Sequence, residues 1–224
     1  MKIFCCSDTH GKAPPLPKNV DFFLHAGDIY NQLGGKAKGV SPTDFAQMKN
    51  NCRELKAWRR KLCCPTFYVR GNHDTYDFCQ LNLEDVSGKV KKLTDNLFLV
   101  GIGWSDYVFS QLPCEADLAS ICTSIFRETI SQMKDGDHSI MLTHYPPFIK
   151  EKFADDLSPY CEGFNFNVIR KAVDALRPIA VIEGHTHQYN NSIFDYNGIT
   201  VVNPSPKGMI LEIEGNNVSI KCPQ

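Results

Sequence analysis

Short apolar runs of strand length recur along the chain, and five of them end in residues able to bind a metal ion. Ile3-Phe4-Cys5-Cys6 leads into Asp8 and His10, and Phe22-Phe23-Leu24 into Gly27-Asp28. Phe67-Tyr68-Val69 leads into Gly71-Asn72-His73-Asp74, Ile140-Met141-Leu142 into His144, and Ile179-Ala180-Val181-Ile182 into Gly184-His185-Thr186-His187. Each punctuation puts oxygen or nitrogen donors just past the carboxyl end of a strand, the edge where open α/β sheets build their sites. Between the runs the period changes. Phe45, Met48, Cys52, Leu55, Trp58 and Leu62 recur at three- and four-residue steps after a Ser41-Pro42-Thr43-Asp44 start, predicting a helix with one buried stripe. Further helices are predicted from about Glu115 to Met133 and from about Asn165 to Leu176, the latter stopping before Pro178.

The end of the chain reads differently. Residues 191–203 form a hairpin pattern around Asn197-Gly198, and residues 209–222 a second strand pair around Gly215-Asn216. Runs at Val90 to Leu93 and Leu97 to Gly101 add strands. An α/β first part with an antiparallel end predicts the α/β (α+β) class: one domain over residues 1–224, two mixed sheets packed together with helices outside.

At 224 residues the chain can bury a full core. Lys and Arg total 24 against 25 Asp and Glu, a balance without the basic excess of a nucleic-acid binder. Arg59-Arg60-Lys61 sits at a predicted helix end, where cations suit the dipole. Ten cysteines would suggest disulfides in a short secreted chain. Here no Cys-x-x-Cys occurs, and the apolar run after Met1 is too short for a signal core. The thiols therefore read as reduced, buried small hydrophobes in a cytoplasmic protein, and no run approaches the ~20 residues of a membrane span.

The donor set narrows the chemistry. Asp8 and His10, two apart, would share a direction in extended chain and grip one cation. Asp28 follows Gly27, whose missing side chain permits a sharp turn, and a carboxylate can bridge two cations ~3.5–4 Å apart. Asn72 offers a neutral oxygen, and His144, His185 and His187 offer nitrogens. Oxygen and imidazole without thiolate favour Mn²⁺, Fe or Zn²⁺. Two such cations lower the pKa of a shared water and clamp phosphate oxygens.

In these residues the chain resembles the calcineurin-like metallophosphoesterase superfamily. The shared pattern is Asp8-Thr9-His10, Gly27-Asp28, Gly71-Asn72-His73-Asp74, His144 and Gly184-His185-Thr186-His187, in that order; Gly-Asn-His-Asp and Gly-His-Thr-His are its specific parts. The resemblance implies a two-sheet sandwich flanked by helices. It puts Asp8, His10, Asp28 and His187 on a first metal and Asp28, Asn72, His144 and His185 on a second. It makes His73 the group that stabilises or protonates the leaving oxygen while a metal-bridging hydroxide attacks phosphorus, work suited to a group titrating near neutrality. Some relatives orient this histidine with an acid three places after the Gly-Asp aspartate. That place is Asn31 here, and Asp74, beside His73, is the catalytic candidate for the task.

The expected activity is hydrolysis of a small-molecule phosphodiester, by analogy with small members lacking a large cap; a phosphomonoesterase is the alternative. A non-catalytic metal-binding scaffold is disfavoured because every ligand position is kept, and a nuclease by the balanced charge. His25, beside Gly27-Asp28, has no ligand slot left and reads as support or packing. His138 reads as an exposed turn residue. Tyr145-Pro146-Pro147-Phe148 reads equally as cleft lining or as a rigid loop exit, and Asn203-Pro204 as a structural turn. Segments 30–40, 75–87, 105–113 and 148–163 fall between motifs, where loops would overhang a cleft.

Overall fold

A computed structural model describes residues 1–30, 42–74, 79–103, 115–147 and 167–222. Twelve strands and three α-helices are found among them. In chain order they are β1 (Lys2–Cys6), β2 (Phe22–His25), α1 (Pro42–Arg59), β3 (Thr66–Tyr68), β4 (Glu84–Asp85), β5 (Lys89–Thr94), β6 (Leu97–Ile102) and α2 (Glu115–Gln132). Then follow β7 (His138–Thr143), α3 (Asn167–Leu176), β8 (Ala180–Ile182), β9 (Ser192–Tyr196), β10 (Ile199–Asn203), β11 (Met209–Glu214) and β12 (Asn217–Lys221).

The strands form two six-stranded mixed sheets, ordered β12-β11-β1-β2-β3-β4 and β5-β6-β7-β8-β10-β9. In the first, β1, β2, β3 and β4 run parallel, β11 pairs antiparallel with β1, and β12 pairs antiparallel with β11. In the second, β6, β7, β8 and β10 run parallel between the antiparallel edges β5 and β9. The strands that carry the chemical motifs are therefore parallel neighbours within each sheet, and their carboxyl ends share an edge.

Alternation along the strands divides the core. Ile3, Cys5, Leu24, Phe67 and Val69 meet Leu99, Ile140, Leu142, Ile182 and Val202 between the two sheets. The opposite faces carry the helices. Phe4, Cys6 and Phe23 pack on Trp58 of α1, whereas Val100, Met141, Val181 and Val201 pack on Leu118, Cys122 and Ile125 of α2 and Ile169 and Val173 of α3. The result is a helix-sheet-sheet-helix sandwich.

Two sequence expectations change. β4 is only two residues long, too short for a periodic signal, yet it extends the first sheet through Phe67↔Glu84 and Tyr68↔Asp85. The thiols are not all reduced: Cys52 of α1 is disulfide-bonded to Cys79, 27 residues on, while Cys5, Cys6, Cys63, Cys64, Cys122 and Cys222 are free. Cys52 lies on the apolar face of α1 in a cluster with Ile29, Leu55, Tyr68 and Leu81, and the fold lays Cys79 against it. The cap residue Ser41, and Asn165 at the start expected for the third helix, lie outside the described residues.

Candidate metal centre

Four of the expected metal ligands sit on backbone that L side chains seldom adopt. Asp8, His10, Asp28 and His185 have φ of 53°, 45°, 57° and 67°. Left-handed residues of this kind cluster where a scaffold fixes function, and Asp and His accept the conformation better than most. Asp8 and His10 thus do not converge along extended chain as their spacing suggested. A left-handed turn brings them together, pinned by His10 N–H donating to the Asp28 carbonyl (2.9 Å) and Asp8 N–H to the Gly27 carbonyl (3.0 Å).

The two sheets contribute jointly. Asp8, Asp28 and Asn72 follow β1, β2 and β3 of one sheet; His144, His185 and His187 follow β7 and β8 of the other. Asp8, His10 and His187 bring donor atoms within 4.8 Å of one another, as do Asp8, Asp28 and His144. His187 Nε2 lies 3.4 Å from Asp8 Oδ1 and 3.2 Å from His10 Nε2. Asp28 Oδ2 stands between the groups, 3.9 Å from His10 Nε2 and 3.5 Å from His144 Nε2. The His185 backbone N–H donates to Asp8 (3.1 Å), tying the second histidine pair to the first carboxylate. Gly27 and Gly71 leave no room for a side chain. A Cβ on Gly27, itself at φ +90°, would fall 2.5 Å from His144 Nδ1, and one on Gly71 would collide with Asp28 Oδ1.

One contact decides whether cations fit. His144 Nδ1 faces the Ala26 carbonyl at 2.8 Å, an acceptor, so Nδ1 carries the proton and Nε2 presents a lone pair. That lone pair points at Asn72 Oδ1, 3.0 Å away, and Asn72 Oδ1 also lies 3.0 Å from His185 Nδ1. Burial holds His144 below its ordinary range and His185 down at about 3, so neither ring becomes imidazolium at neutral pH. His144 Nε2 and Asn72 Oδ1 are therefore two acceptors facing each other, with His185 Nδ1 beside them. A cation at that point satisfies them. The carboxylates agree. Burial and the charge of Asp8 push Asp28 well above its ordinary range, since two adjacent buried carboxylates resist ionising together. Burial would raise Asp8 as well, but hydrogen bonding to His187 and the nearby His144 hold it well below the usual carboxylate range.

His73 and Asp74 part company. The His73 N–H donates to Asp28 Oδ1 (2.8 Å), and its Nε2 lies 3.9 Å from Asp28 Oδ2, near enough that His10, Asp28 and His73 also form a donor group. Its Nδ1 has no hydrogen-bond partner among the described residues. Burial, then the neighbouring His10 and His144, press it down to about 4, so it stands neutral at pH 7 instead of titrating near neutrality. Asp74 does not orient it. Both Asp74 oxygens are taken by backbone: Oδ2 accepts from Asp28 N–H (2.7 Å) and Gly71 N–H (3.0 Å), and Oδ1 from Tyr30 N–H (3.0 Å). The aspartate holds two ligand loops together, and burial, with the charge of Asp28, raises it to about 7. Asn31 lies outside the described residues, as do most of the four segments expected to overhang the cleft.

Other positions also resolve. His25 is buried and not a ligand: its Nε2 pairs with Thr9 Oγ1 at 3.0 Å, and burial drives it down to about 3. His138 opens β7, half-buried. Asn203 Nδ2 donates to the Thr186 carbonyl (3.3 Å), between His185 and His187, so the Asn-Pro turn steadies the last motif. Sequence reading missed the Ala26 carbonyl, which as a backbone group leaves no side-chain signal, and the turn carbonyls of Gly27 and Asp28.

A family model described as calcineurin-like phosphoesterase matches residues 1–189. No curated protein matches the chain. Among solved structures, the protein TT1561 of Thermus thermophilus is similar at 16% identity and TM-score 0.61, over 99% of this chain and 98% of that one. A phosphopantetheinyl hydrolase from Mycobacterium tuberculosis is similar at 14% identity and TM-score 0.57, over 91% and 88%. At these identities the two likenesses speak for the fold. No helix among the described residues is long and apolar enough to cross a membrane.

Proposed function

Since the chain belongs to the calcineurin-like phosphoesterase family, a family of phosphate-ester hydrolases, we propose that it is a dinuclear metal-dependent phosphodiesterase of small molecules, acting in the cytoplasm as one domain over residues 1–224. The observation that carries this reading is the meeting of His144 Nε2 and Asn72 Oδ1 as acceptors without a proton between them, with His185 Nδ1 alongside. Asp8, His10, Asp28 and His187 would hold one cation, and Asp28, Asn72, His144 and His185 the other, with manganese, iron or zinc matching the donors. When bound, such a pair supplies an acidified water and positive charge on the phosphate oxygens.

The chain's own groups do the rest. Asp28, accepting the His73 N–H, ties His73 to the ligand cluster. His73, neutral in the free site, is drawn toward its protonated form by the dianionic character that grows on the phosphorane, because adjacent negative charge favours imidazolium. Having taken up that proton from solvent, it donates it to the departing alkoxide oxygen as the P–O bond breaks, which releases the alcohol and returns His73 to its neutral form. The preference for diesters rests on the resemblance to small family members.

Purified protein assayed with Mn²⁺ on bis-p-nitrophenyl phosphate and p-nitrophenyl phosphate tests the proposal. Faster diester hydrolysis, abolished by chelator, is the expected result. Faster monoester hydrolysis would replace it with a phosphatase. Two bound ions without hydrolysis of either compound would leave a scaffold.

A further inference from the structure

His144 and His185 are held by a third ring that no ligand motif includes. Tyr145 is fully buried, in the core cluster beneath α2 and α3. Its ring centroid lies 5.0 Å from that of His144 at 76°, and 5.3 Å from that of His185 at 60°. The two imidazoles stand 5.1 Å apart at 74°. Three aromatic rings thus meet edge to face in a closed triangle, the favoured packing of such rings. Tyr145, Pro146 and Pro147 are all buried, so this part of the segment packs inside and does not line a cleft.

The arrangement has a consequence for the imidazoles. The Nδ1 bond of His144 to Ala26 sets the tautomer and one point of the ring, but leaves it able to swing about that point. His185 sits on left-handed backbone at φ 67°, which re-aims its side chain and makes ring direction sensitive to what lies behind it. A flat, rigid wedge touching both rings fixes both directions at once. An aliphatic side chain of similar volume would fill the space without defining either plane.

We propose that Tyr145 is a positioning residue for the second cation, holding His144 and His185 in the directions that let both converge with Asn72. The assignment rests on the dinuclear reading above. It bears on one half of the site, because the two imidazoles it meets are both assigned to the same ion. The ring, not the hydroxyl, carries the role.

The test is metal binding, read apart from catalysis. Mn²⁺ stoichiometry and affinity are measured by equilibrium dialysis with elemental analysis for the parent, Tyr145→Phe, Tyr145→Leu and Tyr145→Met, with thermal melting of the metal-free forms alongside. The expected result is two ions in the parent and in Tyr145→Phe. In Tyr145→Leu and Tyr145→Met one of the two ions loses affinity by about 10- to 100-fold while the other is retained, the range found when groups that orient metal ligands are removed. Folded Leu or Met variants that bind both ions like the parent overturn the assignment, and so does Tyr145→Phe losing the second ion, a result that stands even if the aliphatic variants do not fold. A parent that binds fewer than two ions overturns the dinuclear reading itself and this role with it.

Discussion

Asp74 Oδ2 accepts the backbone N–H of Asp28 at 2.7 Å, across 46 residues of sequence. The same oxygen accepts from Gly71, and its partner oxygen from Tyr30, so one carboxylate clasps the β2 and β3 loops where two candidate ligands begin. Replacing it by alanine takes this acceptor from three buried N–H groups, at about 1–3 kcal/mol each. Asp74→Ala should lose at least about 3 kcal/mol of stability and with it tight metal binding, while Asp74→Asn, which keeps one acceptor, should lose less. Denaturant melts beside metal analysis decide this; an alanine variant with parental stability would refute the clasp.

His73 differs in kind. His73→Ala removes no backbone hydrogen bond, because the donor to Asp28 is the peptide N–H. It should bind two ions and lose about 10²–10⁴-fold in turnover on a diester with a poor leaving group, the usual worth of a positioned proton donor. The loss should shrink with a leaving group as acidic as p-nitrophenol. Equal losses on both would deny it the proton.

Metal uptake should release protons. Asp28 is raised by burial and by Asp8, so the free site holds a proton there at pH values where an ordinary carboxylate is ionised. A cation must displace it, and affinity should therefore rise with pH until Asp28 ionises unaided. Calorimetric titration with Mn²⁺ at a series of pH values above the ordinary carboxylate range, in buffers of different ionisation enthalpy, reads the release directly. Heats independent of the buffer would contradict it.

His25 sets an acid limit on stability. Its folded pKa is lowered to about 3, against about 6.5 when unfolded. Its contribution is complete above the unfolded value and is lost as pH falls, because only the unfolded chain then takes up the proton. The slope is at most about 1.4 kcal/mol per pH unit between those limits. His25→Gln, which can still reach Thr9, should flatten the acid limb of a stability profile recorded without metal.

The Cys52–Cys79 bond closes a loop of 27 residues that contains Asn72, His73 and Asp74. By chain entropy it stabilises by about 3.5 kcal/mol. Dithiothreitol should lower the guanidinium midpoint of the parent and leave Cys52→Ser unchanged. A parent indifferent to reductant would show the pair to be dispensable.

Much of this architecture is legible in the order of residues. Strand-length runs such as Ile140-Met141-Leu142 stop where a ligand begins, because parallel strands buried on both faces have no room for polar residues until their ends. The two sheets and three helices follow from the change of period. What stayed hidden depends on partners distant in sequence or on backbone. Asp74 reads as chemistry in Gly-Asn-His-Asp, and only the meeting of two loops reveals that its oxygens are occupied by peptide groups. Spacing suggested extended chain for Asp8 and His10, whereas the peptide bonds to Gly27 and Asp28 select a left-handed turn. Cys52 shows periodicity but not the thiol that meets it.

Ligands arriving from both sheets give the ions a second task. Away from that edge the layers meet in the apolar cluster of Ile3, Leu24, Leu99, Ile140 and Ile182, whose contacts are not directional. Cations bound as proposed would act as rivets at one end of the seam, and at a hundredfold excess over Kd each would add about 2.7 kcal/mol to the folded state. Chelation should therefore silence the protein and loosen its architecture together, coupling competence to mechanical alignment of the two halves.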